Sequence, residues 1–218
     1  FDVDGTLVDS QAHILASMTA AFEGQGLVPP DRAATLSIVG LSLPVAMTRL
    51  APERPDLIDA LVEGYKTAFA RLRLAGDGAA LSPLYPGARE VLQALRDQPE
   101  TLLAIATGKS RRGLDHLMNL HGWAGLFQSV QCADDHPSKP HPSMVDACLG
   151  DTGVAAARAV IVGDTSYDME MGRAAGIAGI GVAWGYHGAD MLLDAGAARV
   201  IDRFEDLPGA LDEIWRTR

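Results

Sequence analysis

Between Leu102 and Ala183 the chain alternates short β-branched runs with stretches of helical periodicity, and this restricts its fold more than any other feature. The runs Leu102 to Ala106, Val130 to Ala133, Ala159 to Val162 and Gly179 to Ala183 read as buried strands. Helix-like stretches surround them: Gly87 to Arg96, Ser110 to His121, Pro142 to Leu149 and Asp168 to Ala175. Strand and helix in alternation predict a mostly parallel sheet covered by helices on both faces, a doubly wound, Rossmann-like α/β core.

Residues 12–82 interrupt this pattern. They hold no strand-like run but carry helical spacing at Ile14, Met18, Ala21 and Phe22, and again at Leu57, Leu61, Tyr65, Phe69 and Leu72. Pro29-Pro30, Gly40, Pro52, Pro55 and Gly76-Asp77-Gly78 punctuate the segment. The expected organisation is an α/β core from residues 1–11 and 83–218, with an all-helical insertion over 12–82.

A chain of 218 residues, 48% hydrophobic, is large enough for an ordinary core. Its formal charge of −10 makes nucleic acid and anionic lipid poor partners, so a phosphate-bearing substrate has to be drawn by local charge or metal. Cys132 and Cys148 have neither metal-ligand spacing nor the number of a disulfide framework, which with the lack of a membrane-length apolar run predicts a cytoplasmic, membrane-free protein. Phe1-Asp2-Val3 reads as the tail of a strand whose earlier residues precede Phe1.

Ligands of an open parallel sheet bind beyond the carboxyl ends of its strands. Asp2 and Asp4 lie after the first strand, Thr107-Gly108-Lys109 after the second, Lys139 in the loop past Val130 to Ala133, and Asp164 and Asp168 after Ala159 to Val162. Residues i and i+2 of an extended chain point the same way, so Asp2 and Asp4 can face one cavity. Two such anions need a bound cation or a proton held by one of them. Carboxylate oxygens suit Mg²⁺, and Asp164 with Asp168 one turn later completes an oxygen-rich site. The pair reads as one metal-bound nucleophile and one acid/base.

These residues resemble the motifs of the haloacid dehalogenase superfamily along essentially the whole chain. DVDGTLVDS resembles its first motif, ATGK its second, the Lys139-Pro140 loop its third and GDTSYDM its fourth, and the insertion resembles a small helical cap. PGAREVLQALR, KPHPSM and GDTSYDMEMGRAAG are most similar to phosphoglycolate phosphatases and their relatives. The resemblance implies that Asp2 attacks phosphorus to form an aspartyl phosphate and that Asp4 is the acid/base. It further implies that Thr107, Lys139 and the backbone N–H groups of Gly5 and Gly108 hold the phosphoryl oxygens. Mg²⁺ would lie among Asp2, the Asp4 carbonyl, Asp164 and Asp168.

The expected activity is hydrolysis of a small phosphorylated metabolite, phosphoglycolate-like or a sugar phosphate, by a monomer or homodimer. A phosphotransferase of the β-phosphoglucomutase type, a dehalogenase and a non-catalytic binding protein are the alternatives. Asp4 speaks against the dehalogenase, whose halide leaving group needs no proton. In the insertion, Val39-Gly40-Leu41-Ser42 resembles a cap specificity loop, while Arg49 and Lys66 read as surface charges before ligand contacts. His136 and His141 read as loop residues, Asp134-Asp135 as a solvated charge run, and Tyr186 and His187 as structural residues near the site rim.

Overall fold

The computed structural model describes residues 1–75 and 82–216, so the turn expected at Gly76-Asp77-Gly78 lies outside the described residues. Its strands are β1 (Ala104–Thr107), β2 (Ser129–Cys132), β3 (Val160–Gly163), β4 (Ala178–Val182) and β5 (Arg199–Ile201). The helices before β1 are α1 (Gln11–Glu23), α2 (Arg32–Leu36), α3 (Leu43–Leu50), α4 (Ile58–Ala75) and α5 (Ala88–Arg96). After it come α6 (Arg111–His121), α7 (Ser143–Thr152), α8 (Ser166–Ala174), α9 (Ala189–Asp194) and α10 (Leu207–Arg216).

All strand pairs are parallel: β1 with β2, β3 with β4, and β4 with β5. The first residues of the chain join the two groups. Phe1 N donates to Ala104 O at 2.8 Å, Phe1 O accepts from Ala106 N at 2.9 Å, and Asp2 N donates to Val162 O at 2.9 Å. Bonds straddling Ile105 in this way are the slanted bonds of a parallel ladder. The spatial order is therefore β2, β1, the Phe1–Val3 segment, β3, β4, β5, with the reversal of order beside Phe1–Val3. That places Asp2 and Asp4 at the switch point where ligands of such sheets bind.

Successive side chains of the inner strands enter different cores, as the pleat requires. Ile105 and Val162 pack with Leu92, Leu114 and Leu207 on one face, whereas Ala106 and Ile161 pack with Met144 and Met171 on the other. Helices thus cover both faces, as the uninterrupted apolar strands predicted. β5, α9 and α10 lie beyond the elements the sequence reading identified. β5 is three residues long, starts at the exposed Arg199 and lies at the sheet edge, too short for a periodic signal.

Helices α1, α3 and α4 share an apolar cluster that includes Met18, Phe22, Met47, Leu61 and Tyr65. At the α1/α4 seam the His13 ring stacks on Phe69 with centroids 3.6 Å apart, and His13 Nε2 is 2.9 Å from Phe69 O. A carbonyl only accepts, so Nε2 carries the proton, while the buried Nδ1 has no hydrogen-bond partner. Burial lowers the His13 pKa below its ordinary value, outweighing the opposing pull of the Phe69 carbonyl. With the folded value depressed, this contribution to stability is complete above the unfolded value near 6.5 and lost as pH falls below it. Between about pH 7 and pH 5 the Tm of His13→Phe should therefore fall less than that of the unaltered chain; parallel Tm curves would remove His13 from the acid response.

Among the described residues no helix is long and apolar enough to cross a membrane. Both cysteines are free.

Candidate active site

The strand ends named in the sequence converge. Asp2, Asp4, Thr107 and Gly108 line a cavity of about 280 Å³ between the sheet and helices α1, α3 and α4. Asp2, Lys139, Asp164 and Asp168 adjoin one another, each at most 2% exposed. Lys139 Nζ lies 2.6 Å from Asp168 Oδ1 and 2.9 Å from Asp2 Oδ1. The contact with Asp2 is an ion pair off the axis of a hydrogen bond, and neither Asp2 oxygen accepts a hydrogen bond from another group.

Asp164 and Asp168 are held firmly. Asp164 Oδ1 accepts from Thr6 Oγ1 at 2.8 Å and Oδ2 from Tyr186 N at 2.9 Å. Asp168 Oδ2 accepts from Thr165 N at 3.1 Å and from Thr165 Oγ1 at 2.7 Å, the reach-back bond of a capping box at the start of α8. The same carboxylate thus caps its helix and fixes Lys139.

The electrostatics are lopsided. Desolvation raises the Asp2 pKa to about 6 against the opposing pull of Lys139, and burial raises Asp164 well above the carboxylate range, with Asp2 and Asp168 adding repulsion. Lys139 is raised as well, since two carboxylates outweigh its own burial. An ion pair alone would lower Asp2 while raising Lys139. The common rise follows from sharing one ammonium, which sits closer to Asp168 and leaves the burial of Asp2 undercompensated.

One oxygen from each of Asp2, Asp164 and Asp168 lies within 4.8 Å of the others. Among the described residues Lys139 is the one cation paired with this trio. A hard divalent ion fits such a donor set: all oxygens, excess negative charge, and a buried carboxylate that accepts no hydrogen bond beyond its ion pair with Lys139. The Asp4 side chain stands outside the trio. Its Oδ1 accepts from Ser10 Oγ at 2.5 Å, and Lys109 Nζ reaches Oδ1 and Oδ2 at 2.8 and 2.7 Å.

Lys109, Ser10 and Thr6 were missed as site residues by sequence reasoning. Lys109 stood in view after β1, but a lysine just before a helix-capping serine is ordinarily solvated, whereas here its side chain is 8% exposed. Nothing local signals its pairing with a carboxylate 105 positions away. The amide of Gly5, expected to face the phosphoryl group, instead donates to Val8 O at 2.9 Å. Gly5 matters for its shape: at φ +86°, a Cβ there would lie 2.2 Å from Asp164 Oδ2. Similarly, a Cβ on Gly108 would lie 2.3 Å from Gly40 O, so the Val39–Ser42 turn packs directly on the β1 loop. Thr107 Oγ1 accepts from Lys109 N at 3.3 Å, which leaves its proton free to point into the cavity.

The remaining residues named from the sequence have definite partners. Asp134 and Asp135 are exposed but engaged: Asp134 Oδ2 accepts from Arg111 N at 2.8 Å and Asp135 pairs with the Arg111 guanidinium at 3.1 Å. Arg49 donates to Tyr167 Oη at 2.7 Å, away from the cavity, whereas Lys66 lines the cavity while pairing with Glu63. Tyr186 lies 3.3 Å from Ser10 Oγ through its hydroxyl and also holds Asp164 through its backbone. His187 accepts from Ser166 N at 3.0 Å, a structural role as expected.

The model of the family described as haloacid dehalogenase-like hydrolase matches residues 1–182. IndB of Dickeya dadantii (strain 3937), a probable phosphatase, is 35% identical over 99% of this chain and 94% of its own. A phosphoglycolate phosphatase of Aliivibrio fischeri (strain ATCC 700601 / ES114) is 29% identical over 97% of this chain and 94% of its own. Among solved structures, a hydrolase from Pseudomonas syringae superposes with a TM-score of 0.85 at 26% identity, covering 98% of this chain and 97% of that one.

Proposed function

The chain belongs to the haloacid dehalogenase-like hydrolases, and from that premise we propose that it is a Mg²⁺-dependent phosphatase of a small phosphorylated metabolite, working through an aspartyl phosphate. The observation that carries this reading is the Asp2 carboxylate: buried, free of hydrogen bonds, and set in the floor of a cavity beside Lys139. Similarity to phosphatases over nearly the full chain supports the same chemistry.

In the first half-reaction an Asp2 oxygen bonds to phosphorus as the ester P–O bond breaks, and Asp4 supplies a proton to the leaving oxygen. In the second, Asp4 takes a proton from water, whose oxygen bonds to phosphorus and releases Asp2. As placed, Asp4 accepts from Ser10 and Lys109, the arrangement suited to the second half. Thr107, Lys139 and the backbone N–H of Gly108 bind the phosphoryl oxygens, while the missing side chains of Gly5 and Gly108 let Asp164 and the Gly40 carbonyl pack close behind them. Asp2, the Asp4 carbonyl and Asp164, supported by Asp168, would hold Mg²⁺, which when bound offsets the charge developing on the phosphoryl group. Residues 12–82 serve as a cap that excludes water from the core formed by 1–11 and 83–218.

The test is phosphate release from small esters, phosphoglycolate and sugar phosphates included, with Mg²⁺ and with chelator. Activity that disappears with chelator supports the proposal, and halide release from 2-haloacids or isomerised sugar phosphate would replace it with the dehalogenase or phosphotransferase reading. Release from none of these points to the binding protein. Asp4→Asn should lower kcat/KM, which reports the first half-reaction, about 10²- to 10⁴-fold on alkyl phosphates and much less on p-nitrophenyl phosphate, whose phenolate leaves unaided. An equal loss on both would remove Asp4 from the acid role.

A further inference from the structure

The cavity above Asp2 has two unlike ends. Its floor is ionic, but the side chains rising from it are apolar: Ile14 and Met18 from α1, Leu43 at the start of α3, and Phe69 and Ala70 from α4. Phe69 is fixed in place by the stacked His13 ring and by Lys109, whose Nζ stands 5.0 Å from the ring centroid. Lys66, Arg73 and Arg112 also line the cavity.

Some polar side chains of the lining are already engaged, while Tyr65, Lys66, Arg73 and Arg112 make up the rest of its polar part above the ionic floor. Lys109 uses its ammonium on both oxygens of Asp4, Ser110 Oγ accepts from Gly113 N, and Asp134 accepts from Arg111 N. A glycolate carboxylate or a sugar hydroxyl pressed against Ile14, Met18 and Phe69 loses its hydration and gains no partner from those side chains, so a small polar substrate has to turn to the cations of the cavity instead. An apolar group placed there gains from leaving water. Size agrees with this: a cavity of about 150 Å³ lined by apolar side chains accepts benzene, so about 280 Å³ holds a phosphoryl group with a ring above it.

Resting on the phosphatase reading above, we propose that the substrate is a monophosphate ester whose alcohol bears an apolar, ring-sized group, seated between α1 and α4 with its phosphate on Asp2. The cationic side chains of the cavity draw the phosphate dianion into a protein of net charge −10, and the apolar wall selects what it carries.

The experiment compares kcat/KM for benzyl phosphate, methyl phosphate and phosphoglycolate, all with Mg²⁺, in the unaltered chain and in Ala70→Phe. Ala70 is half-buried and lines the cavity, so the added ring occupies the space meant for the substrate. In parallel, calorimetry measures binding of benzylphosphonate and methylphosphonate, which carry no ester bond to cleave. Benzyl phosphate should exceed both small esters at least about tenfold, and Ala70→Phe should bring the benzyl-to-methyl ratio near one. Should Ala70→Phe fail to fold, Leu43→Gln puts an amide into the same wall at a half-buried position and should lower the same ratio. Phosphoglycolate turned over as well as benzyl phosphate, or better, would overturn the inference and leave the phosphatase reading standing. No turnover at all, with benzylphosphonate bound at least about tenfold tighter than methylphosphonate, would sustain the pocket's selectivity and overturn the phosphatase reading instead. Equal binding of the two phosphonates would overturn the inference whatever the turnover.

Discussion

Asp2→Asn will lower kcat by at least about 10⁴-fold and leave the fold intact, because removing the nucleophile of a covalent mechanism eliminates the reaction path while other groups go on binding substrate. Stability should hold for a reason visible in the charges. Asp2 is 1% exposed and resists ionisation, its pKa raised to about 6 by burial, so a neutral amide of the same shape removes an unfavourable buried charge. Lys139 is not stranded by the change, since Asp168 Oδ1 stays 2.6 Å from its ammonium. In chelator the Tm of Asp2→Asn should equal or exceed that of the unaltered chain. Turnover above about a hundredth of normal would exclude Asp2 as nucleophile, and a lower Tm would refute the charge argument.

Lys139→Ala will damage both stability and activity. Its side chain is 0% exposed and stands against two carboxylates, so truncation leaves Asp2, Asp164 and Asp168 buried without a cation among the described residues. Removing one partner from a buried ion pair typically costs about 3–5 kcal/mol. For a chain of this length that is a fall in Tm of roughly 6–20 °C. Loss of the ammonium from the phosphoryl site should cost kcat at least about 10²-fold besides. The two substitutions should also couple: adding Asp2→Asn to Lys139→Ala removes one orphaned anion and restores part of the lost Tm. A double variant no more stable than Lys139→Ala would mean that the two side chains do not share their charge as the geometry indicates.

The opposed stability effects show where sequence reasoning stops. The position of Asp2, Thr107, Lys139 and Asp164 at strand ends was legible, because period-2 burial and helix-period burial mark strands and helices, and the ends follow. That Lys139 is shared unequally by Asp2 and Asp168 was not legible, being a matter of tenths of an ångström between side chains far apart in the chain. Gly5 is instructive as well: its presence after Asp4 was plain, but the reading of its amide as a phosphate donor fails because Val8 O accepts that proton. A bond three residues away is local, yet nothing in the residue types distinguishes it from a free amide.

The sequence by itself determined the α/β alternation, the helical segment between the first motif and Leu84, and the carboxylates at the strand ends, since each depends on chain-local periodicity and on residue type. Only the tertiary structure decided that Phe1–Val3 joins two groups of strands, that Lys109 grips Asp4, and that the cavity wall over Asp2 is apolar. Those features depend on which distant surfaces meet, and meeting is set by the packing of whole faces, a property no single segment carries.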